Sequence, residues 1–336
     1  MKKIASLWGE DGNGKVRCSL CEHRCIISEG KYGYCGMRRN EGGELYTYAY
    51  GRVVASNVDP IEKKPFYHFL PGSRSYSVAT AGCNFKCAFC QNWTISQTSA
   101  RDGSDPGRDV SPEGIVGEAI GKGCRSISYT YTEPTIFLEF ARDIGIKAKA
   151  EGLKNNIVTN GYMTPEALHW FRPVLDAANI DLKSFRDDTY RRVCGGSLNP
   201  VLASIDNMKM SGVWVEVTTL VVPGLNDSAK ELKDIALFLA SVGSDIPWHI
   251  SRFHPDHLYT EASPTPMETM RIAFDIGREA GLKYVYLGNA NEGSDTRCPE
   301  CGTLLIERGD GFTSEPTGDL RLGRCVNCGF RVDGVW

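Results

Sequence analysis

The sequence predicts an α/β protein: strand and helix units repeated into a partial (β/α)6-type barrel, with a small cysteine-rich module at each end. Three observations predict it. Between about residues 76 and 287, short β-branched runs alternate with helical patterns, the mark of parallel strands joined by helices. No G-x-G-x-x-G follows the first of these strands, so an open dinucleotide-binding sheet lacks its phosphate loop. All but two of the 13 cysteines fall into three groups, and two of those groups lie outside the repeating region.

The bulk properties narrow the function classes. A chain of 336 residues can bury a large core. Its formal net charge of −3 and pI near 6.1 give no global attraction for nucleic acid or anionic lipid, so nucleic acid is an unlikely partner. The opening MKKIASLWGEDGNGK has no apolar stretch of signal-peptide length, and no run of eighteen apolar residues occurs. The expectation is a cytoplasmic protein with no membrane association. In a reducing compartment, grouped cysteines are metal ligands more often than disulfide partners. Cys124 and Cys194, outside the groups, read as small buried hydrophobes.

Residues 1–74 form the first expected unit, a four-cysteine module and lead-in. Cys18, Cys21, Cys25 and Cys35 give C-x2-C-x3-C-x9-C, with His23 as a substitute ligand. Zinc is the default metal; a second iron–sulfur cluster is the alternative, against which the run lacks the Cys-Pro ending of bacterial ferredoxins.

Residues 75–292 form the expected barrel. Seven strands are expected near Tyr76–Thr80, Ser126–Tyr131, Asn156–Asn160, Asn179–Lys183, Trp214–Val222, Trp248–Phe253 and Tyr284–Gly288. Helices fall between them. Ser111 is an N-cap followed by Pro112 and Glu113; Thr164 opens a similar Thr-Pro-Glu start and Thr265 a Thr-Pro-x-Glu one, the second ending at Gly281.

Residues 293–336 form the third unit, ribbon-like. Cys298 and Cys301, then Cys325 and Cys328, are two C-x2-C knuckles separated by twenty-three residues, close to zinc-ribbon spacing. The intervening segment reads as a hairpin with a polar, glycine-rich tip. For either end module, redox-active dithiols are the competing reading, but four co-located thiols favour a metal.

The chemistry is expected in the loop after the first barrel strand, where AGCNFKCAFCQNW places Cys83, Cys87 and Cys90 at intervals of four and three. Barrels bind ligands at the C-terminal ends of their strands. A structural zinc with a distant fourth ligand is one reading. The better one is a cluster held by three thiolates, because closed zinc sites bring paired C-x2-C units and this loop does not.

C-x3-C-x-aromatic-C, with Phe89 before the last cysteine, closely resembles the defining motif of the radical S-adenosylmethionine (SAM) enzymes, which have TIM-type barrels. The resemblance implies a [4Fe-4S] cluster on Cys83, Cys87 and Cys90, with the fourth iron open to the amino and carboxylate groups of SAM, which is cleaved to a 5'-deoxyadenosyl radical. YTYTEPT is similar to the Gly-Gly-Glu-Pro segment of glycyl-radical activating enzymes, with Tyr131 and Thr132 in place of the glycines. Thr132 and Glu133 are then expected at the methionine ammonium. Helix capping before PTIFLEF is the structural alternative for Glu133. Thr159 and Asn160 in TNG, Asp181 and Lys183 in DLK, Phe89 and Asn92 at the end of the cysteine loop and His254 in FHP complete the SAM contacts that the resemblance implies. Asp181 and Lys183 share one strand face, so an ion pair is expected, whether lining the cavity or purely structural. The three histidines of HISRFHPDH lack the i, i+4 pairing of a zinc site.

The order of all these parts resembles the radical SAM protein of the AmmeMemoRadiSam system, over nearly the whole chain. That likeness implies Memo-like and Amme-domain partners and an electron donor such as flavodoxin or ferredoxin. Reductive SAM cleavage followed by hydrogen abstraction from an unidentified substrate is the expected function. A glycyl-radical activase is the alternative substrate reading; a metal-binding interaction protein without turnover is the alternative of another class.

Overall fold

The computed structural model describes residues 2–103, 107–309 and 320–336. Seven parallel strands carry the fold: β1 (Arg74–Thr80), β2 (Ser126–Tyr129), β3 (Lys154–Thr159), β4 (Ala177–Asp181), β5 (Trp214–Val221), β6 (Trp248–Arg252) and β7 (Val285–Gly288). They stand side by side in chain order, each parallel to the next, as barrel winding requires. Six longer helices fall between them: α1 (Pro112–Gly121), α2 (Leu138–Ala150), α3 (Pro165–Phe171), α4 (Leu198–Met210), α5 (Ala229–Val242) and α6 (Met267–Glu279). The sheet does not close. Beyond β1 it continues into an antiparallel strand, Arg52–Pro60, and then Arg108–Asp109. The sequence expectation placed residues 52–60 in the lead-in; their mixed polar pattern, RVVASNVDP, hid an edge strand that is only half-buried.

Two of the three expected caps are present. The Ser111 hydroxyl accepts from the Gly114 amide at 3.1 Å and Thr164 from the Ala167 amide at 3.0 Å. Thr265 does not cap α6. Its hydroxyl donates to the Val221 carbonyl at 2.6 Å and accepts from the Phe253 amide at 2.9 Å, tying together the ends of β5 and β6. A buried hydroxyl between two unpaired backbone groups gains more there than at a solvated helix end.

Near the N-terminal ends of the strands, the interior is closed by residues 61–70 and a buried polar network. Glu216 of β5 accepts from the Tyr67 and His68 amides, each at 2.9 Å, and from the Trp214 indole at 2.9 Å; His249 of β6 lies 2.6 Å away through Nε2. Burial opposes charge on Glu216, but His249 and the other donors outweigh it and hold its pKa down. His68, wholly buried, bonds the Asp333 carbonyl through Nδ1 and the Tyr286 hydroxyl through Nε2, at 2.7 and 2.6 Å. Burial lowers its pKa to about 4.

Each end module is anchored to this frame. Arg38 of the N-terminal module forms a fully buried ion pair with Glu139 of α2 and donates to the Ser6 carbonyl at 2.9 Å. At the other end, buried Arg308 donates to the Tyr67 carbonyl and the Thr296 hydroxyl, at 2.9 and 2.7 Å, while Tyr67, Tyr284 and Tyr286 pack with Cys298, Cys325 and Leu305. Among the described residues the terminal module forms two short hairpins, Thr296–Arg297 with Leu304–Ile306 and Leu320–Arg321 with Arg324–Cys325. The tip of the expected longer hairpin, 310–319, lies outside the described residues.

No described helix is long and apolar enough to cross a membrane.

Candidate functional site

The cysteine loop starts where β1 ends, and a glycine sets its direction. Gly82 has φ +97°, and a Cβ there would come within 2.7 Å of Met37 Cγ from the N-terminal module. Only glycine permits both the turn and that close approach. Cys83, Cys87 and Cys90 follow, and a single helical turn, Trp93–Ser96, ends the loop.

The three cysteines line one cavity of about 320 Å³ at the C-terminal ends of the strands. Phe89, Asn92, Thr132, Glu133, Thr159, Asn160, Asp181 and Lys183 line it with them. A larger cleft of about 490 Å³, between α6, β7 and the terminal module, holds no comparable convergence of ligands and lies away from the cysteine loop. His254 is the exception among the expected residues. β6 ends at Arg252; within it His249 and Ser251 share the interior face, whereas His254 lies beyond the strand end and is exposed. Ser251 takes the place on the wall.

Polar groups face two of the three sulfurs. Cys83 Sγ accepts from the Phe85 amide at 3.3 Å and faces the Asn160 side-chain amide at 3.8 Å; Cys90 Sγ lies 3.3 Å from the Ser96 hydroxyl. Burial, then the Glu133 carboxylate and the thiol of Cys87, push Cys83 well above the usual thiol range. Cys87 is raised by a hydrogen bond with Cys194 and by burial. The apo loop therefore holds protons that a metal centre must displace. Cys194 is buried as expected, but it is not remote from the clusters: it packs against Cys87, which its distance in sequence concealed.

Glu133 is nearly inaccessible and fully engaged. Its Oε1 accepts from the Thr135 amide at 3.0 Å, the Thr135 hydroxyl and the Thr159 hydroxyl at 2.7 Å; Oε2 accepts from the Asn160 amide at 2.8 Å. Capping of the Pro134–Phe137 turn is thus realised, and the carboxylate also welds β2 to the TNG turn. Burial still raises its pKa despite these donors. Gly161 completes that turn at φ +70°, where a Cβ would meet Ile180 at 2.9 Å.

Asp181 and Lys183 form the expected ion pair, 2.8 Å, on the cavity wall. Burial works against the charge of Lys183, but Asp181 and the nearby thiols of Cys87 and Cys194 outweigh it and raise its pKa.

Two replacements of glycine by larger residues are accommodated in different ways. Tyr131 sits at φ +63°, a conformation that costs an L-residue of order 1–3 kcal/mol. Its hydroxyl, bonded to Asp59 at 2.5 Å, and the Lys64 ammonium 4.2 Å from its ring centre hold it there. Thr132 donates to the Thr80 carbonyl at 2.7 Å, so its hydroxyl proton is already committed. Asp59, Lys63 and Lys64 were not singled out in the sequence; Lys63 and Lys64 reach the cavity only because the edge strand and its following turn fold over the rim.

The end modules differ in sulfur spacing. In the terminal module all four sulfurs lie within 4.8 Å of one another, with Cys298 to Cys328 at 3.6 Å and Cys301 to Cys325 at 3.7 Å. Thr303, through its hydroxyl at 3.2 Å and its amide, together with Asn327 lowers Cys301 to about 5. Cys18, Cys21, Cys25 and Cys35 are gathered in one module, three of them buried, but no three close to that spacing. His23, the expected substitute ligand, turns its Nε2 to the Asn84 carbonyl at 2.7 Å and stacks on Tyr34.

Comparison with known proteins places this geometry. An uncharacterized protein of Methanocaldococcus jannaschii is 46% identical over 326 residues, 96% of each chain. Pyruvate formate-lyase 1-activating enzyme of Escherichia coli is 22% identical over 224 residues, 61% of this chain and 89% of that one. The crystal structure of a radical SAM methyltransferase from Sphaerobacter thermophilus, 17% identical, covers 70% of this chain and 71% of its own with a TM-score of 0.51, a likeness of fold. The model of the radical SAM superfamily matches residues 77–239, from within β1 through the cysteine loop to beyond β5, and this part of the chain is a radical SAM domain.

Proposed function

We propose that Cys83, Cys87 and Cys90 hold a [4Fe-4S] cluster and that the cavity beside them takes SAM. The family implies both groups. When bound, they supply reductive cleavage of SAM to methionine and a 5'-deoxyadenosyl radical that abstracts hydrogen from a substrate. One observation carries the assignment to these residues: three buried or half-buried thiols, amide and hydroxyl donors to their sulfurs, and an Asp–Lys pair converge on one cavity at the strand ends.

The residues divide the work. Phe85 and Asn160 donate to the Cys83 sulfur and Ser96 to that of Cys90, which offsets thiolate charge without water. Asp181 is the carboxylate with a free oxygen, since Lys183 engages only Oδ2, and it is suited to the SAM ammonium. Glu133, with both oxygens occupied, positions Thr159 and Asn160 instead. Lys63 and Lys64 at the rim are both held by Asp59, at 3.9 and 2.8 Å, and border the entrance to the cavity. The cysteines must lose protons on loading, so cluster assembly should strengthen as pH rises.

The terminal module fits zinc. Four thiolates at about 2.3 Å around one tetrahedral ion stand about 3.8 Å apart, and the two separations across this module come within a few tenths of an ångström of that value. The residue order further supports an electron donor of the flavodoxin or ferredoxin kind and a place in the AmmeMemoRadiSam system with Memo-like and Amme-domain partners. Activation of a glycyl-radical enzyme is a second reading, favoured by the likeness to the Escherichia coli activating enzyme over 61% of this chain.

Anaerobic reconstitution with iron, sulfide, dithionite and SAM tests the assignment. Release of 5'-deoxyadenosine above a no-enzyme control, lost in Asp181→Asn through weaker SAM binding, is expected. No release from a fully loaded cluster would overturn it.

A further inference from the structure

The N-terminal tetrad has the ligand count of a zinc site without its geometry. A single tetrahedral ion, zinc or iron, draws four sulfurs to about 3.8 Å, and the terminal module of this same molecule meets that spacing. Cys18, Cys21, Cys25 and Cys35 do not: no three of their sulfurs lie within 4.8 Å of one another. In this they match Cys83, Cys87 and Cys90, whose three sulfurs do not all lie within 4.8 Å of one another either. Wide spacing is what a polynuclear centre demands, because each thiolate then binds a different metal atom or shares one of two irons separated by sulfide.

The surroundings agree. The Tyr34 amide donates to Cys25 Sγ at 3.4 Å and the Arg38 guanidinium faces Cys18 Sγ at 3.9 Å, donors of the kind that stabilise an anionic cluster. Between the tetrad and the central loop lies a continuous packed bridge. Tyr34, bonded to Cys25, stacks on His23 with ring centres 4.0 Å apart. His23 bonds the Asn84 carbonyl at 2.7 Å, and Asn84 is the neighbour of Cys83 in the chain. The Asn84 side chain in turn accepts from Asn160, which reaches Cys83 Sγ.

We propose that the N-terminal tetrad holds a second, polynuclear iron–sulfur cluster, and that this cluster passes single electrons across the Tyr34–His23–Asn84 bridge to the centre on Cys83, Cys87 and Cys90. Each transfer oxidises the outer cluster by one electron and reduces the inner centre by one; a low-potential one-electron donor protein re-reduces the outer cluster. No bond forms or breaks. The existence of the cluster stands independently of the proposed function, whereas the direction of electron flow rests on it.

The two parts are tested separately. In Cys83→Ala/Cys87→Ala/Cys90→Ala, reconstituted anaerobically with iron and sulfide, iron and sulfide should remain bound in a ratio near one to one, with an electron paramagnetic resonance signal after dithionite reduction. A triple variant that instead carries two zinc ions and no sulfide overturns the cluster. For the relay, Cys25→Ser changes the least buried thiol of the four. In that variant, reduction of the inner centre by flavodoxin, followed by its resonance signal, should slow at least tenfold, while the change of that signal on adding SAM is retained. Unchanged reduction with the outer iron lost overturns the relay and leaves the proposed function standing. If Cys25→Ser fails to fold, His23→Leu, which keeps all four thiols and breaks the bridge, reads the same slowing.

Discussion

The two ends of this chain each bring four cysteines, yet they hold them differently. At the C-terminus the sulfurs converge on one point, carried by two short hairpins whose knuckles fold locally around C-x2-C turns. At the N-terminus they are spread through a module that shares its apolar core with the barrel and touches the loop of Cys83. The difference teaches that cysteine count and local spacing mark a candidate metal site, while the separation of the sulfurs is set by the framework that carries them.

The largest effect expected is from Cys87→Ala. Two thiolates cannot hold the inner cluster, so SAM cleavage should vanish, while the terminal zinc and the iron of the outer tetrad are retained. Full 5'-deoxyadenosine production by this variant would remove the loop from the chemistry altogether.

Cys301→Ala should break the opposite end. Structural zinc in small modules contributes binding free energy on the order of 10 kcal/mol, nearly all of it folding energy. One zinc should be lost and the module should become protease-sensitive, with iron unchanged by elemental analysis. Parallel loss of iron would mean that the two ends are not different in kind.

The anchors also differ. Arg38 and Glu139 are both buried, so Arg38→Met leaves an unpaired carboxylate and should cost about 3–5 kcal/mol in urea unfolding. Arg38→Met/Glu139→Leu should recover most of it. Failure of that recovery would show that Arg38 acts through Cys18 rather than through the ion pair.

The C-terminal anchor is pH-sensitive instead. His68, with its pKa lowered by burial from 6.5 to about 4, stays neutral in the fold and charges readily when unfolded. Its stabilisation is therefore complete above pH about 6.5 and lost as pH falls toward 4, amounting to about 3 kcal/mol at 1.36 kcal/mol per pH unit. Melting temperature should fall over that window, and His68→Gln should flatten the slope. An equally steep slope in the variant would transfer the effect to other groups.

Much of the fold was legible because period and punctuation agree. Each of the seven expected strands overlaps an observed one, since β-branched runs between capped helices leave little choice. The half-polar edge strand 52–60 was not legible, for its hydrogen bonding to β1 has no local signature. The wall of the cavity was read from TNG, DLK and the cysteine loop, because residues on the interior face at the C-terminal ends of parallel strands line the site there. His254, beyond the end of β6, is exposed and does not line it.

The sequence by itself determined the alternating strands and helices, the three cysteine groups and the residues at the strand ends, all set by local period and spacing. Tertiary structure decided what distance in sequence conceals: Cys194 against Cys87, Lys63 and Lys64 at the cavity rim, Glu133 saturated by four donors, and a histidine that bridges two cysteine groups. Each of these depends on which groups share a low-dielectric interior, where every buried donor must find an acceptor, and that pairing is fixed only once the elements have packed.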